Sequence, residues 1–412
     1  MAKKLLPLMA FLFLLPLLGG CGPQPGAPAV WNFLVYMAAD NDLENFAIYD
    51  LNEMEQAGPT DEVRILVLFD RGPGYDASNG NWTGTRLYRV TKDNDPYLIR
   101  SSLVWAYGTG ERDMSDPATL RDFIVYCQTH YPADRTVLTL WNHGSGIWPR
   151  VAASGASARG IAWDNNTLGW PWNCLTTDEV ALALAGARAV TGQKIDIVNT
   201  DACLMQMLEA AYEWRNEVDY LVGSEADVPG YGNDYEAVLA HLAADPGMTA
   251  AELAVILVGD YYATYADVSY YDTTYAALSL GAPFDALVSA FTSFAAALHD
   301  LPDLAPVHDA WLATTSVGGY NWGDECRDLH DFAGEVQSRA ADPGLQTAAA
   351  ALLTALDGAI LTHRETGFYT GRAYGLSILI PNSSEWVNYS GANQYVTLRL
   401  SQDTAWDEFV VR

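Results

Sequence analysis

The chain has 412 residues, with 22 basic and 51 acidic side chains and a formal net charge of −29. So acidic a chain repels nucleic-acid phosphates and anionic lipid surfaces, which excludes both as electrostatic partners. The balance is compatible with cationic substrates, although a solvated acidic surface is the more frequent cause of it.

The first 21 residues read as a targeting segment. Lys3 and Lys4 form a basic start. Leu5–Leu18 is apolar but interrupted by Pro7 and Pro16, and is short for a spanning helix. Leu18-Gly19-Gly20-Cys21 resembles a bacterial lipobox, in which the cysteine is lipidated and becomes the first residue of the mature protein. The expectation is a protein anchored through Cys21 in the bacterial cell envelope, facing periplasm or exterior. Residues 22–29, rich in Pro and Gly, read as an extended tether.

From residue 30 onward, apolar runs alternate with helical spacing. The pattern predicts a strand at Val30–Ala38, a helix at Leu43–Ala57 closed by Gly58-Pro59, and a strand at Val63–Phe69. A Gly/Asn-rich loop and a short strand near Arg86–Val90 follow. Asp116–Tyr131 reads as a helix with Pro117 in its first turn. Thr136–Trp141 reads as a strand that stops at His143. Residues 147–174 show little periodicity and read as a long loop, of the kind that is functional or disordered. The spacing then predicts a helix at Thr177–Val190, a strand ending at Asp201 just before Cys203, and a helix at Leu204–Arg215. A strand at Tyr220–Gly223 and helices at Asp234–Leu242, Thr249–Tyr265 and Ala282–Leu301 complete the series. Such alternation favours an α/β fold, a parallel sheet covered by helices on both faces. Residues 30–266 form the expected catalytic region. Residues 267–412 read as mostly helical, with a late strand at Leu376–Ile380 that rejoins the sheet or forms a small one.

Two runs stand out. Val137, Leu138, Leu140 and Trp141 in the first, and Ile195, Ile197 and Val198 in the second, leave little polar face. Runs of this kind fit central strands of a parallel sheet. Catalytic groups of open α/β sheets gather at the carboxyl ends of such strands, where His143 and Cys203 stand. A thiolate is a strong nucleophile, and an imidazole can take its proton. A helix starting behind Cys203 would favour the thiolate. Gly144 allows its N–H a close approach to an oxyanion, beside the Cys203 N–H. Either residue alone would be ordinary packing; the pair points to catalysis. Ser145 is a weaker candidate nucleophile, because NHGSG lacks the strand–turn–helix elbow of hydrolases.

The NHGSG and DACLM stretches resemble the His and Cys motifs of the clostripain-type cysteine peptidases, relatives of caspases and gingipains. Trp31–Glu44, Tyr220–Glu225 and Gly375–Pro381 agree with that family, so the resemblance runs from Trp31 to the end. It implies a caspase-like α/β/α sandwich with a largely helical C-terminal region, and peptide cleavage by Cys203 and His143. It implies that Asp201 lines the pocket for the side chain before the scissile bond, giving a preference for Arg and also Lys. The competing role for Asp201 is to cap the following helix. Ser224, Glu225, Asp227 and Tyr231 are further candidate substrate contacts; Tyr231 stands where some relatives carry a second acid. Family members are cut between the two motifs during self-activation, which makes Arg150 and Arg159 candidate cut sites. Members differ in binding calcium, and no EF-hand-like loop is present, so no metal ligand is assigned. The rival reading is an inert surface binding lipoprotein whose aromatic loops, including Trp170 and Trp172, hold a ligand. No CxxC pair suggests zinc. Cys127 and Cys174 read as buried free thiols rather than a disulfide, and His330 and His363 as structural.

Overall fold

The apolar runs assemble into one nine-stranded sheet. The structure, a computed structural model, describes residues 28–106, 110–147, 150–151, 157–158, 160–165, 173–318, 325–380 and 395–410. Cys21 and most of the tether lie outside the described residues. The strands are β1 (Ala29–Ala39), β2 (Val63–Arg71), β3 (Gly84–Arg89), β4 (Ser102–Ala106), β5 (Ala133–Trp141), β6 (Arg150–Val151), β7 (Ser157–Ala158), β8 (Ile161–Asp164), β9 (Asn173–Leu175), β10 (Ile195–Asp201), β11 (Val218–Gly223), β12 (Thr274–Ser279), β13 (Cys326–Asp328), β14 (Ile360–Glu365) and β15 (Ser377–Leu379). The main sheet runs β14-β12-β11-β10-β5-β1-β2-β3-β4. Its centre, β11 through β2, is parallel. The two edges are antiparallel.

Alternation along β1 sorts side chains between two cores. Phe33, Val35 and Met37 meet α1 (Glu44–Ala57), α5 (Tyr235–Ala244) and α6 (Ala250–Tyr265). Leu34, Tyr36 and Ala38 face the layer of α2 (Pro117–His130), α3 (Thr177–Thr191) and α4 (Leu208–Trp214). Every one of those six side chains is at most 1% exposed, as a sheet covered on both faces requires. Local chemistry sets the helix starts. Asp116 accepts the Ala118 N–H ahead of α2, with Pro117 at the first position. Thr176 with Glu179, and Thr249 with Glu252, form reciprocal capping boxes for α3 and α6.

Residues 267–412 do more than append helices. β12 and β14 extend the main sheet beyond β11, while α7 (Ala282–His299), α8 (Ala305–Ala313), α9 (Leu329–Arg339) and α10 (Pro343–Ala359) pack into the second core. β15 pairs with β13 in a small sheet of its own, and Ser377 bridges to Met207. Cys127, Cys174 and Cys326 are buried. Among the described residues no helix is long and apolar enough to cross a membrane.

A buried pair of acids joins the two halves. Glu225, after β11, accepts the Gly375 N–H at 2.8 Å and shares a hydrogen bond with Asp328 of β13. Asp328 also accepts the N–H groups of Asp331 and Tyr374, both at 2.6 Å. Burial pushes both carboxyls up, Asp328 to about 7, so the folded protein holds their shared proton more tightly than the unfolded chain does. Stability from this pair is full below the unfolded value near 4 and is lost as pH rises through 7. Glu225→Gln keeps the hydrogen bonds without the charge. It is expected to flatten the fall in stability between pH 5 and 8 by at least about 1 kcal/mol, measured by urea unfolding. An unchanged slope would remove the pair from the acid–base balance of folding.

Candidate active site

The parallel pairing of β5 with β10 brings the two reactive residues to one edge. Trp141 and Asp201 are in register, and the Asn142 N–H reaches the Asp201 carbonyl at 3.3 Å. His143 and Cys203 each follow by two residues. The chain leaves β1 toward β2 on one side and reaches β5 on the other, so the edge between β1 and β5 is a topological switch point. Ligand crevices form at such points.

Gly144 lies directly on the Cys203 backbone. A Cβ there would sit 2.1 Å from the Cys203 carbonyl oxygen and 3.0 Å from its nitrogen, so only glycine fits. The Gly144 N–H points at the Cys203 sulfur, and the Val228 N–H donates to the same sulfur at 3.2 Å. Enclosure by the surrounding protein, followed by the Asp227 carboxylate, pushes the half-buried thiol up to about 12 against these two donors. The resting thiol is therefore protonated at neutral pH and needs a base.

The helix expected to begin at Leu204 does not begin there. Leu204 has φ +64°, and its N–H and that of Gln206 bond the carbonyls of Ala226 and Ser224. α4 starts only at Leu208. The apolar spacing of LMQM thus belongs to a turn pinned by the loop after β11, and no helix dipole assists the thiol.

His143 turns its Nε2 to Asp42 Oδ1 at 3.0 Å. Asp42 sits in the exposed turn after β1. Nothing local in the sequence links Asp42 to a histidine 101 residues away. Two asparagines fix the two turns. Asn41 and Asn142 both donate to the Trp163 carbonyl of β8, at 3.1 and 2.9 Å, and both also reach the Ala38 carbonyl. Ser145 is buried and committed to Gly160, whose N–H it accepts at 3.1 Å. That ties down the alternative nucleophile.

Asp201 is buried beneath the site. It accepts the Asn233 N–H at 3.1 Å and the Tyr235 hydroxyl at 2.8 Å, and its carboxylate lies against Gly232. Burial pushes it up to about 6, opposed by those two donors. Asp50 and Glu53 lie beneath. Asp50, held by the Trp141 indole at 2.6 Å, is raised well above the usual carboxylate range by burial and then by Asp201. Burial pushes Glu53 up to about 7. Asp201 is no helix cap: the residue ahead of α4 is Met207.

The remaining candidates separate. Asp227 is close enough to raise the Cys203 thiol, and Tyr231, half exposed, stacks edge-on with Phe46 and Tyr49 at the rim. Ser224 is fully buried, bonded to Thr274 and to the Ala226 N–H, and Glu225 is claimed by Gly375 and Asp328. Both therefore serve the interior rather than a substrate, a correction that follows from β12 covering the loop after β11. The segment between the motifs is not one structureless loop. β6 pairs with β7 and β8 with β9. Arg150 opens β6; Arg159, Trp170 and Trp172 lie outside the described residues. His330 and His363 pair with Asp357 and Glu365 at 3.4 and 3.2 Å, as structural histidines do.

With this geometry in hand, known proteins offer a comparison. Clostripain of Hathewaya histolytica is 30% identical over 229 residues, which is 52% of this chain and 42% of that protein. The chain thus spans less than half the length of that curated relative. A secreted cysteine protease from Bacteroides thetaiotaomicron in complex with an irreversible peptide inhibitor shares the fold at TM-score 0.65 and 21% identity, over 92% of this chain and 100% of that one. An inactive zymogen protease from Parabacteroides distasonis does so at TM-score 0.65 and 19% identity, over 94% and 99%. The sequence model of the clostripain family matches residues 35–411. The chain belongs to the clostripain family of cysteine peptidases.

Proposed function

We propose that the protein is an envelope-anchored endopeptidase that cleaves after Arg, and also Lys, through Cys203 and His143. One observation carries the reading: the Gly144 N–H, fixed on the Cys203 backbone, points at a protonated thiol at the switch point of the sheet. In the reaction His143 takes the thiol proton as sulfur bonds to the scissile carbonyl carbon. The carbonyl oxygen gains the negative charge and takes over the N–H groups of Gly144 and Cys203. Collapse breaks the C–N bond, and the amine leaves with the proton from His143. Water, deprotonated by the same imidazole, then hydrolyses the thioester.

Asp42 is a positioning residue in this scheme. Its carboxylate holds Nε2 and so leaves Nδ1 free to exchange the proton. Asp42→Ala is expected to lower kcat about 10- to 100-fold with KM little changed, and to move the acid limb of the pH–rate profile; Asp42→Asn should recover part of the loss. A raised KM with normal kcat would place Asp42 in substrate binding instead.

The wild type is further expected to cut itself after Arg150 or Arg159 and to begin, when mature, at a lipidated Cys21. The basis is the pair of arginines between the motifs and the LGGC stretch. Stable anchoring requires more than one acyl chain. Mass spectrometry of wild type and Cys203→Ala reads both features. Cut wild type beside uncut variant, each with an acylated Cys21, supports the reading. Uncut active wild type, or a different unmodified terminus, rejects self-processing or anchoring respectively.

A further inference from the structure

Two asparagines from different strands close on the same two carbonyls. Asn41 stands in the turn after β1 and Asn142 in the turn after β5. Each side-chain amide donates to the Ala38 carbonyl of β1 and to the Trp163 carbonyl of β8. Both residues are at most 3% exposed. Their oxygens turn to the adjoining backbone. Asn41 Oδ1 accepts the Leu43 N–H at 3.0 Å, a bond that spans Asp42, and Asn142 Oδ1 accepts the His143 N–H. Asp42 and His143, whose side chains meet at 3.0 Å, are thus each held one residue from the same pair of carbonyls. The Ala38 carbonyl belongs to the central sheet. The Trp163 carbonyl is delivered by β8, from the segment between the two motifs.

The backbone of β8 is shaped for that delivery. Ala162 has φ +61°, a left-handed conformation that a residue with a Cβ adopts only where its surroundings impose it. The pairing of β8 with β9 shifts register at the same place, between Ile161 and Asp164. Irregularities of this kind re-aim the groups of a strand beside an active site. Both ends of β8 are fastened. Ile161 bridges to Gly144, the Gly160 carbonyl accepts the Ser145 N–H at 2.9 Å, and the Asn165 N–H reaches the Asp40 carbonyl at 3.2 Å. Ile161, Ala162 and Trp163 are at most 3% exposed.

We propose that β8 is a positioning element of the catalytic pair, its Trp163 carbonyl setting the Asp42–His143 contact through Asn41 and Asn142. The proposal rests on the reading of Cys203 and His143 as nucleophile and base. The side chains of His143 and Asp42 are 42% and 73% exposed. An ion pair in such water contact is too weak to hold an imidazole in one orientation by itself. The orientation must come from the buried layer beneath. An amide with one acceptor can swing about it, whereas one that grips two carbonyls from different strands has its plane fixed. Proton transfer from sulfur requires that fixity, because small displacements of a base cost large factors in rate. Asn41 and Asn142 touch no substrate; they act through Asp42 and His143.

The test reads the pair without requiring a peptide to be cut. The full chain is treated with iodoacetamide between about pH 5 and 9, and Cys203 alkylation is followed by mass spectrometry beside thermal unfolding. At neutral pH wild type is expected to alkylate at least about 10-fold faster than His143→Ala. Asn41→Ala and Asn142→Ala should each lose most of that advantage and, on a basic peptide, lower kcat about 10-fold or more with KM little changed. Asn32→Ala removes an equally buried amide bond, to the Tyr131 carbonyl at the far end of β1. It should lower the thermal midpoint and leave the pH profile of alkylation in place. Ala162→Val, whose branched side chain resists the left-handed backbone, should behave as the Asn41 and Asn142 variants do. Ala162→Gly adopts that backbone freely and should alkylate about 10-fold faster than Ala162→Val. Equal rates in wild type and His143→Ala would reject the pair, and the proposal with it. A His143-dependent profile that stays unchanged in folded Asn41→Ala and Asn142→Ala, or that Asn32→Ala shifts as much, would overturn the proposal alone.

Discussion

Cys203→Ala and His143→Ala are each expected to lower kcat/KM on a basic peptide by at least about 10⁴-fold with the fold intact, and the double variant should lose little more. In the proposed mechanism the state of the thiol makes the imidazole indispensable. Burial, then Asp227, pushes its proton affinity up to about 12, so the thiolate is scarce at pH 7 without a base. Two backbone N–H donors are present at the sulfur, but no helix dipole adds to them. His143, oriented by Asp42, is the group at the neighbouring strand end that can take the proton. Peptide turnover and thermal unfolding on the same preparations check this. Cleavage by pure Cys203→Ala at the wild-type rate would dismiss the mechanism.

Asp201→Asn is expected to cost about 10²- to 10³-fold in kcat/KM for an Arg peptide and little for a Leu peptide. Removing one partner of a buried charge pair costs about 3–5 kcal/mol, and a guanidinium held by two hydrogen bonds is such a pair. The pH dependence has a definite sign. Burial pushes Asp201 up to about 6, and only its ionised form attracts a cation. Activity on Arg should therefore fall as pH drops through 6, and Asp201→Asn should lack that limb. Asn can keep the Tyr235 and Asn233 contacts in place. A variant that retains its preference for Arg would take specificity away from Asp201.

The strand ends were legible because burial on both faces leaves no polar side. Val137–Trp141 and Ile195–Asp201 carry that mark, and they placed His143 and Cys203 at one edge. The turn after Cys203 was misread for a physical reason. Leu204, Met205, Met207 and Leu208 are all buried, yet the backbone between them is bonded to the loop after β11 rather than to itself. Apolar spacing records burial and not the partner of the N–H. β12 and β14 were missed; β14, the edge strand, is half exposed and shows no buried run. Ser224 and Glu225 lie after the right strand, but β12, β13 and the Gly375 turn close over them, contacts from 50 to 150 residues away. Distance likewise hid Asp42, 101 residues from His143.

The central claim is that Cys203, activated by His143, attacks substrates bearing a basic residue. It is tested most directly by covalent capture. Wild type, His143→Ala and Asp201→Asn are treated with matched peptides ending in Arg or Leu, each bearing a thiol-alkylating group, and the adducts are mapped by mass spectrometry. The account predicts a single adduct on Cys203, fast with the Arg probe and slow with the Leu probe. It further predicts that the adduct is nearly absent in His143→Ala and that Asp201→Asn shows no Arg advantage. An adduct on another residue, or equal labelling of Cys203 by both probes in wild type and His143→Ala, would contradict it.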